Sequence, residues 1–454
     1  MTNTSTDGAS VDAIHHATAI YTAVDEIDQL LRDLDWPKRG GRLLDPGCGN
    51  GNMIVRAVTK LAPAPGDMSA VARIKGFEFH PGSADEARSR FSQTLRETGW
   101  TIDDADEAAR RCVETRDYLL DRPRERWDVI LANPPYWRRA NLPAAYRAAM
   151  DEVVPSHATG DLLHAYLDAM TRQVGPGGKL GLITSDRWVV NSGAAKLRAV
   201  MGDTLRVASV RRLDTASAFH RPKERSRDTP PRVHAIAVVL GDEGRSLGRE
   251  PLAIEEIPVV EGVALGDVAT IRLAPWLGPD GIFTVGEDSG LPDDKLVPCV
   301  EPTDICPKTG TIGATRRWAI VTGDNEPEPS VMRHLDLMLE RMPARGRRSV
   351  RWLPPERFDR HLPLRTASIM IPRIATRLRV VDLPAEHLPT AHSLVVVSGM
   401  APKALRRMLE DDRVQAQADA IALRIESGYK SYTATLLRRL VIPHDLLEEG
   451  RIAA

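Results

Sequence analysis

Cysteine is scarce: four in 454 residues, Cys48, Cys112, Cys299 and Cys306. Their spacing excludes a zinc knuckle, which draws paired ligands from short loops, and they read as reduced thiols. Charge of one sign is missing too, with 61 Lys and Arg against 62 Asp and Glu. No apolar run approaches the length of a membrane span, and Met1–Ser10 lacks the basic and apolar blocks of a secretion signal. A cytoplasmic protein with no membrane partner is expected. No internal repeat is visible, and the 42% hydrophobic and 27% charged content excludes a disordered or fibrous chain.

What is present is a chain long enough for two packed domains. Short apolar runs at Arg42–Asp45, Ile74–Phe79, Asp128–Ala132 and Lys179–Thr184 alternate with helical stretches at Val11–Leu34, Asn52–Leu61, Ser83–Thr98 and Asp161–Val174, the last stopped by Gly175-Pro176-Gly177-Gly178. A helix at Gly193–Met201 and strands near Arg206–Leu213 and His234–Leu240 complete an α/β, doubly wound, Rossmann-like domain. Beyond Gly241 the pattern becomes irregular and rich in Pro and Gly. The predicted division is a catalytic domain over 1–244 and a mixed α+β domain over 245–454. The near-zero net charge hides an asymmetry. From Arg341 to Arg379, eleven arginines face only Glu356 and Asp359.

The strongest local motif is Leu43-Leu44-Asp45-Pro46-Gly47-Cys48-Gly49-Asn50-Gly51-Asn52-Met53. A strand ends in Asp and Pro, glycines turn the chain, and a helix begins, which exposes backbone at the carboxyl edge of the sheet, where doubly wound folds bind ligands. A glycine-rich turn can equally serve a nucleotide or no ligand at all. The spacing here departs from the phosphate-binding pattern, and the preceding Asp45 suits a cationic sulfonium. Glu78, with Phe79 after it, ends the second strand, where a carboxylate can accept hydrogen bonds from ribose hydroxyls or simply face solvent.

The most informative segment is Asn133-Pro134-Pro135-Tyr136, after the strand Asp128–Ala132. Paired prolines stiffen the chain, and the residue before a proline is pushed out of the helical region. The Asn133 amide and the Pro134 carbonyl are thus acceptors suited to a planar amine. Hydrogen bonds to its two protons oppose delocalisation of the nitrogen lone pair, and transfer then needs positioning more than a strong base. Tyr136 offers a ring on which an extruded base can stack. Pro-Pro-Tyr by itself also occurs in ordinary loops.

In motif order the chain resembles the amino-methyltransferases, specifically the gamma class of N6-adenine DNA methyltransferases, from Tyr21 to about Leu240. Tyr21 and Thr22 match the family's N-terminal cofactor motif, with Ala23 in place of its proline, and Met53 stands where phenylalanine is common. The resemblance implies S-adenosyl-L-methionine as cofactor, with Tyr21, Thr22, Asp45, Pro46, Gly47, Gly49, Gly51, Asn52, Met53, Glu78, Phe79, Asp117, Tyr118 and Asn133 around it. Asp117 would take the cofactor's adenine amino group. Asn133, Pro134, Pro135 and Tyr136 would form the methyl-acceptor site, with Phe219 packing the target base from the other side or serving as a core residue. No metal is expected.

The resemblance also implies a C-terminal target-recognition domain acting on double-stranded DNA. Arg345, Arg347, Arg348, Arg351, Trp352 and Arg357 are its candidate DNA surface, although any one arginine can be merely a solvated charge. The function expected is site-specific adenine N6 methylation for restriction-modification or phage defence, by a monomer on DNA, with a separate restriction endonuclease or defence-system subunits as candidate partners. Methylation of RNA adenine or of a protein glutamine, and a non-catalytic DNA-binding subunit of the same fold, are the competing readings.

Overall fold

Leu43, Leu44 and Asp45 are all buried, as are five of the six residues of Trp127–Ala132, the pattern of strands covered on both faces. The computed structural model describes residues 8–37, 41–214, 218–220, 234–255, 257–358, 367–390, 392–425 and 428–452. Two compact units divide the chain, Met1–Ile254 and Glu255–Ala454. The expected boundary at residue 245 falls instead inside the first unit. Arg245–Ser246 pairs with Arg206–Arg212, and Leu247 and Ile254 are buried in the first unit's core.

The first unit is built on strands β1 (Tyr21–Thr22), β2 (Leu43–Asp45), β3 (Ile74–Glu78), β4 (Val113–Thr115), β5 (Trp127–Ala132), β6 (Val174–Ser185), β7 (Arg206–Arg212), β8 (Phe219–His220), β9 (Ala235–Gly241) and β10 (Arg245–Ser246). Its main sheet runs β10-β7-β9-β6-β5-β2-β3-β4. Pairing is parallel from β4 to β6 and antiparallel among β6, β9, β7 and β10. The strand order reverses between β2 and β5, so their carboxyl ends open a crevice where a doubly wound sheet binds its ligand. The Gly175–Gly178 run, expected to stop a helix, is carried as an irregularity in β6. Trp127 pairs with Val174 and Val129 with Lys179, leaving the glycines as a bulge.

Alternating side chains feed the two faces. Leu44, Ile130 and Leu182 join one core cluster, and Leu43, Val129, Leu131 and Ile183 the other. Each such side chain contributes about 1.5–3 kcal/mol on full burial.

Helices α1 (Gly8–Thr18), α2 (Val24–Asp33), α3 (Asn52–Leu61), α4 (Met68–Val71), α5 (Pro81–Arg96), α6 (Ile102–Cys112), α7 (Ala144–Val153), α8 (Leu162–Gln173), α9 (Arg187–Val190) and α10 (Ala195–Gly202) surround the sheet. Their starts follow local chemistry. His80 accepts the Ser83 N–H at 3.1 Å with Pro81 in the first turn of α5, Thr101 caps α6 through the Asp104 N–H, and Asp161 caps α8 through the Leu163 N–H. The single helix expected over Val11–Leu34 is broken into α1 and α2. Between them Tyr21 and Thr22 pair with His220 and Phe219, and the Ala23 N–H reaches the Ala218 carbonyl at 2.9 Å.

The second unit holds a four-stranded antiparallel sheet (Ala269–Leu273, Ser393–Ser398, Ser368–Pro372, Val381–Leu383) and a mixed sheet containing Thr284–Val285, Trp318–Ile320, Leu296–Val300 and Leu388–Pro389. Helices Pro402–Glu410 and Asp412–Ile421 supply Leu405, Leu409 and Val414 to one of its cores.

Arg198 staples the end of the first unit. Fully buried, it donates to the carbonyls of Trp188 (2.8 Å), Asn191 (2.7 Å), Gly248 (3.2 Å) and Arg249 (2.5 Å). Arg198→Leu keeps the apolar stem and strands those acceptors, so it should destabilise the first unit by on the order of 3 kcal/mol. The check is the urea midpoint, and an unchanged midpoint would contradict the staple.

Candidate active site

The turn after β2 forms because two positions accept left-handed backbone. Gly49 has φ 53° and Gly51 φ 86°. A Cβ at Gly49 would sit 3.2 Å from the Tyr21 ring, and one at Gly51 3.1 Å from the Ala87 Cα, so both also permit close packing. The Cys48 N–H bonds the Phe77 carbonyl, and the Gly51 N–H the Cys48 carbonyl, which fixes the turn against β3.

Over this turn lies a cavity of about 630 Å3, part of it open to solvent. Tyr21, Thr22, Asp45, Gly47, Gly49, Asn52, Met53, Glu78, Phe79, Asn133 and Pro135 line it, all anticipated from sequence. His15, Thr18, Ala19, Ile20, Cys48, Asn50 and Tyr166 line it as well. Cys48 and Asn50 alternate with the glycines and could have been read from the turn. The α1 residues could not, because the break after α1 depends on pairing with residues some 200 positions away. Tyr166 comes from α8 and carries no local signal.

Several expected residues lie elsewhere. Pro46, Pro134 and Gly51 belong to the turns without lining the cavity. Tyr118 is fully buried, its ring 6.4 Å from that of Phe77 and 5.4 Å from that of Tyr166, so it props a lining residue from behind. Asp117 accepts the N–H groups of Leu119 and Leu120, and its charge bears on Glu78. Tyr136 is half-buried against the core of the sheet. Phe219 is buried among core residues such as Ile27 and Leu30, and acts through its backbone, which pairs with Thr22.

Two carboxylates dominate the electrostatics. Asp45 accepts the Gly47 N–H at 3.2 Å, and Glu78 accepts the N–H groups of Gly49 and His80, each at 2.9 Å. Burial pushes the Asp45 carboxyl up to about 8, with the Glu78 charge adding to it. Burial likewise pushes Glu78 up to about 7, with the Asp117 charge contributing. A lining like this is stabilised by positive charge and by hydroxyl donors. Asn50 Oδ1, buried and without a hydrogen-bond partner among the described residues, is one more acceptor awaiting a donor. The donor set therefore fits a cofactor with a sulfonium, an ammonium and ribose hydroxyls.

Asn133 closes the cavity from the β5 side. Its Nδ2 donates to the Ile20 carbonyl at 3.2 Å and to Thr22 Oγ1 at 3.1 Å. Because the Ile20 carbonyl can only accept, this pair fixes which way the amide points, and Oδ1 remains the free acceptor.

The candidate DNA surface of the second unit is largely engaged in its own fold. Arg347 Nε donates to the Met342 carbonyl and Arg348 to the Pro355 carbonyl. Arg351 pairs with Asp336 and Arg357 with Asp324. Trp352 Nε1 donates to the Gly323 carbonyl, and the Arg345 guanidinium lies 4.5 Å from the centre of the Trp276 ring. Arg360 and Arg365 lie outside the described residues. Among the described residues no group of three or more His, Cys, Asp or Glu could hold a metal ion, and no helix is long and apolar enough to cross a membrane.

The strand order and the cavity define the S-adenosyl-L-methionine-dependent methyltransferase fold, a Rossmann-like domain followed by an α+β unit. Residues 82–219 match the model of the Eco57I restriction-modification methylase family, and parts of the chain are similar to Type II methyltransferases. It is 27% identical over 218 residues to the Type II methyltransferase M.XhoI of Xanthomonas vasicola, covering 42% of this chain and 39% of that protein. To the Type II methyltransferase M.PaeR7I of Pseudomonas aeruginosa it is 25% identical over 283 residues, covering 58% of this chain and 46% of that protein. The matches thus span less than half the length of these relatives. Among solved structures, the Type IIL restriction-modification enzyme MmeI in complex with DNA shares the fold, with a TM-score of 0.57 and 14% identity over 96% of this chain and 67% of that one.

The raised carboxyls make a pH prediction. Asp45 and Glu78 hold their protons in the folded state at pH values where the unfolded chain has lost them, so they contribute less stability as pH rises from about 4 to about 8. The cofactor-free protein should lose thermal stability across this range, and Asp45→Asn should flatten the loss. Parallel pH profiles for the two proteins would contradict the burial of a titrating Asp45.

Proposed function

We propose that this chain methylates the exocyclic N6 of an adenine extruded from duplex DNA, at a defined sequence, using S-adenosyl-L-methionine. The observation that carries the reading is the orientation of the Asn133 amide beside a cavity lined by Asp45 and Glu78. Bound there, the cofactor supplies an electrophilic methyl group on a sulfonium. Glu78 would hold its ribose hydroxyls, and Asp45 and the backbone of Gly47 and Gly49 its amino-acid end. Tyr166 and Met53 would contribute apolar walls.

The chain's remaining work concerns the amine. Asn133 Oδ1 accepts one of its protons and the Pro134 carbonyl is suited to the other, which localises the lone pair and aims it at the cavity. The prolines on either side of the Pro134 carbonyl hold this corner without spending a flexible side chain on it. Tyr136 follows at once and is positioned in sequence to stack on the extruded base.

The restriction-modification methylase family matched by residues 82–219 and the DNA-bound MmeI that shares the fold support DNA as the substrate class and restriction-modification as the setting, and an endonuclease on a separate chain is proposed as the partner. Base identity is the finer step, and it rests on the match between a two-acceptor corner and a two-proton amine. The expressed chain should yield N6-methyladenine in host DNA by nucleoside mass spectrometry, confined to one sequence context. N4-methylcytosine would overturn the base assignment, and modification confined to RNA or to a protein glutamine would overturn the substrate class.

Asn133→Ala should slow single-turnover methyl transfer by about 100- to 1000-fold, the usual cost of losing one preorganised hydrogen-bonding group. Cofactor affinity, measured by calorimetry, should change only a few-fold. Transfer at the wild-type rate would remove Asn133 from the chemistry.

A further inference from the structure

A second cavity, of about 1000 Å3 including space open to solvent, is lined by the segment that directly follows the acceptor corner. Arg138, Arg187 and Lys196 bring three permanent cations to it, and Asp161 the one carboxylate. That carboxylate also accepts the Leu163 N–H as the cap of α8. None of the three cationic side chains has a salt-bridge partner among the described residues. Some arginines of the unit do have carboxylate partners, as Arg56 has Asp28, Arg139 Asp151, Arg211 Glu26 and Arg212 Asp186. Three exposed cations against one carboxylate give the hollow a net positive lining, which suits an anion.

The backbone ties this hollow to the corner. Arg138 stands two residues after Tyr136 and its backbone forms an isolated antiparallel β-bridge with that of Asp161, while the Leu162 N–H bonds the Trp137 carbonyl at 2.9 Å and the Arg139 N–H the Gly160 carbonyl at 3.3 Å. Two residues of extended chain span at most about 7 Å. The segment from Asn133 to Arg138 thus borders a cavity lined by Asp45 and Glu78 at one end and a cavity lined by cations at the other. The first suits a sulfonium, the second a phosphate.

We infer that Arg138, Arg187 and Lys196 form a site for a backbone phosphodiester of the nucleic-acid strand beside the nucleotide being methylated. This rests on the function proposed above and adds the part of the first unit that grips the strand. Arginine can hold a phosphate through two parallel N–H bonds, and lysine adds a point charge. Several arginines of the second unit, by contrast, already have carbonyl or carboxylate partners in their own fold.

The test is the salt dependence of duplex binding by the full chain in the presence of S-adenosyl-L-methionine, for the wild type, Arg138→Ala, Arg187→Ala, Lys196→Ala and the triple variant. Losing the one phosphate that the three cations neutralise should lower the slope of log affinity against log salt by about 0.9 in the triple variant, with smaller losses in the single variants. Arg138→Lys should recover most of the slope. Cofactor affinity and melting temperature should stay at wild-type values, because the three side chains are exposed and lie outside the cofactor cavity. Wild-type slopes in the variants would overturn this site alone and leave the methyltransferase reading standing. A wild type that binds cofactor but no duplex would overturn both. Inorganic phosphate, titrated calorimetrically, should bind far more weakly than the duplex, and equal or tighter binding would assign the cavity to a small free anion.

Discussion

The two hydrogen bonds from the Asn133 amide to Ile20 and Thr22 are the constraint on which the rest of the site depends. They join three parts of the chain distant in sequence. Ile20 and Thr22 stand at the break between α1 and α2, Asn133 directly follows β5, and the break is held extended by pairing with Phe219 and His220. The amide orientation is therefore set by a tertiary interaction and not by the rigidity of the proline corner alone. Were the first helix continuous, as its local sequence favours, the Ile20 carbonyl would point along that helix and Asn133 would be free to turn.

The same break shapes the cofactor cavity. Ile20, Tyr21 and Thr22 close it opposite the glycine turn, and the Tyr21 ring lies where any side chain at position 49 would intrude. Asp45 and Glu78 are buried here at a cost that shows in their raised proton affinities. Binding a cation with hydroxyl donors offsets that cost, so the cofactor stabilises the fold while the fold orients the cofactor. The opposite charge of the neighbouring hollow at Arg138, Arg187 and Lys196 lets one short segment separate a site for a cation from a site for a polyanion.

Much of this is legible in the sequence because it is local. The Asp45–Met53 turn, Glu78 at a strand end and Asn133 before two prolines announce themselves through backbone chemistry, and all three reach one cavity once the strand order reverses between β2 and β5. What stays hidden depends on distant pairing or on side-chain engagement. The α1–α2 break needs β8, and the strand at Arg245–Ser246 needs β7, which is why local pattern puts the domain boundary about ten residues early. Helix α6 buries Ala105, Ala108, Ala109 and Cys112 at helical spacing, but these side chains are small and the periodicity is easily passed over. The arginine-rich stretch shows how little composition says about side-chain partners. Composition marks it as basic, but Arg347, Arg348, Arg351 and Arg357 find carbonyl or carboxylate partners that composition cannot reveal. Arg138, Arg187 and Lys196 are scattered in sequence and meet only in the fold.

The most direct test of the central claim is a structure of the chain with a sulfonium analogue and an adenine-containing duplex. The account predicts Asn133 Oδ1 at about 2.7–3.2 Å from the exocyclic nitrogen of an extruded adenine, with Nδ2 still on the Ile20 carbonyl. An extruded base held elsewhere, or an Asn133 amide turned so that Nδ2 faces the base, would contradict it.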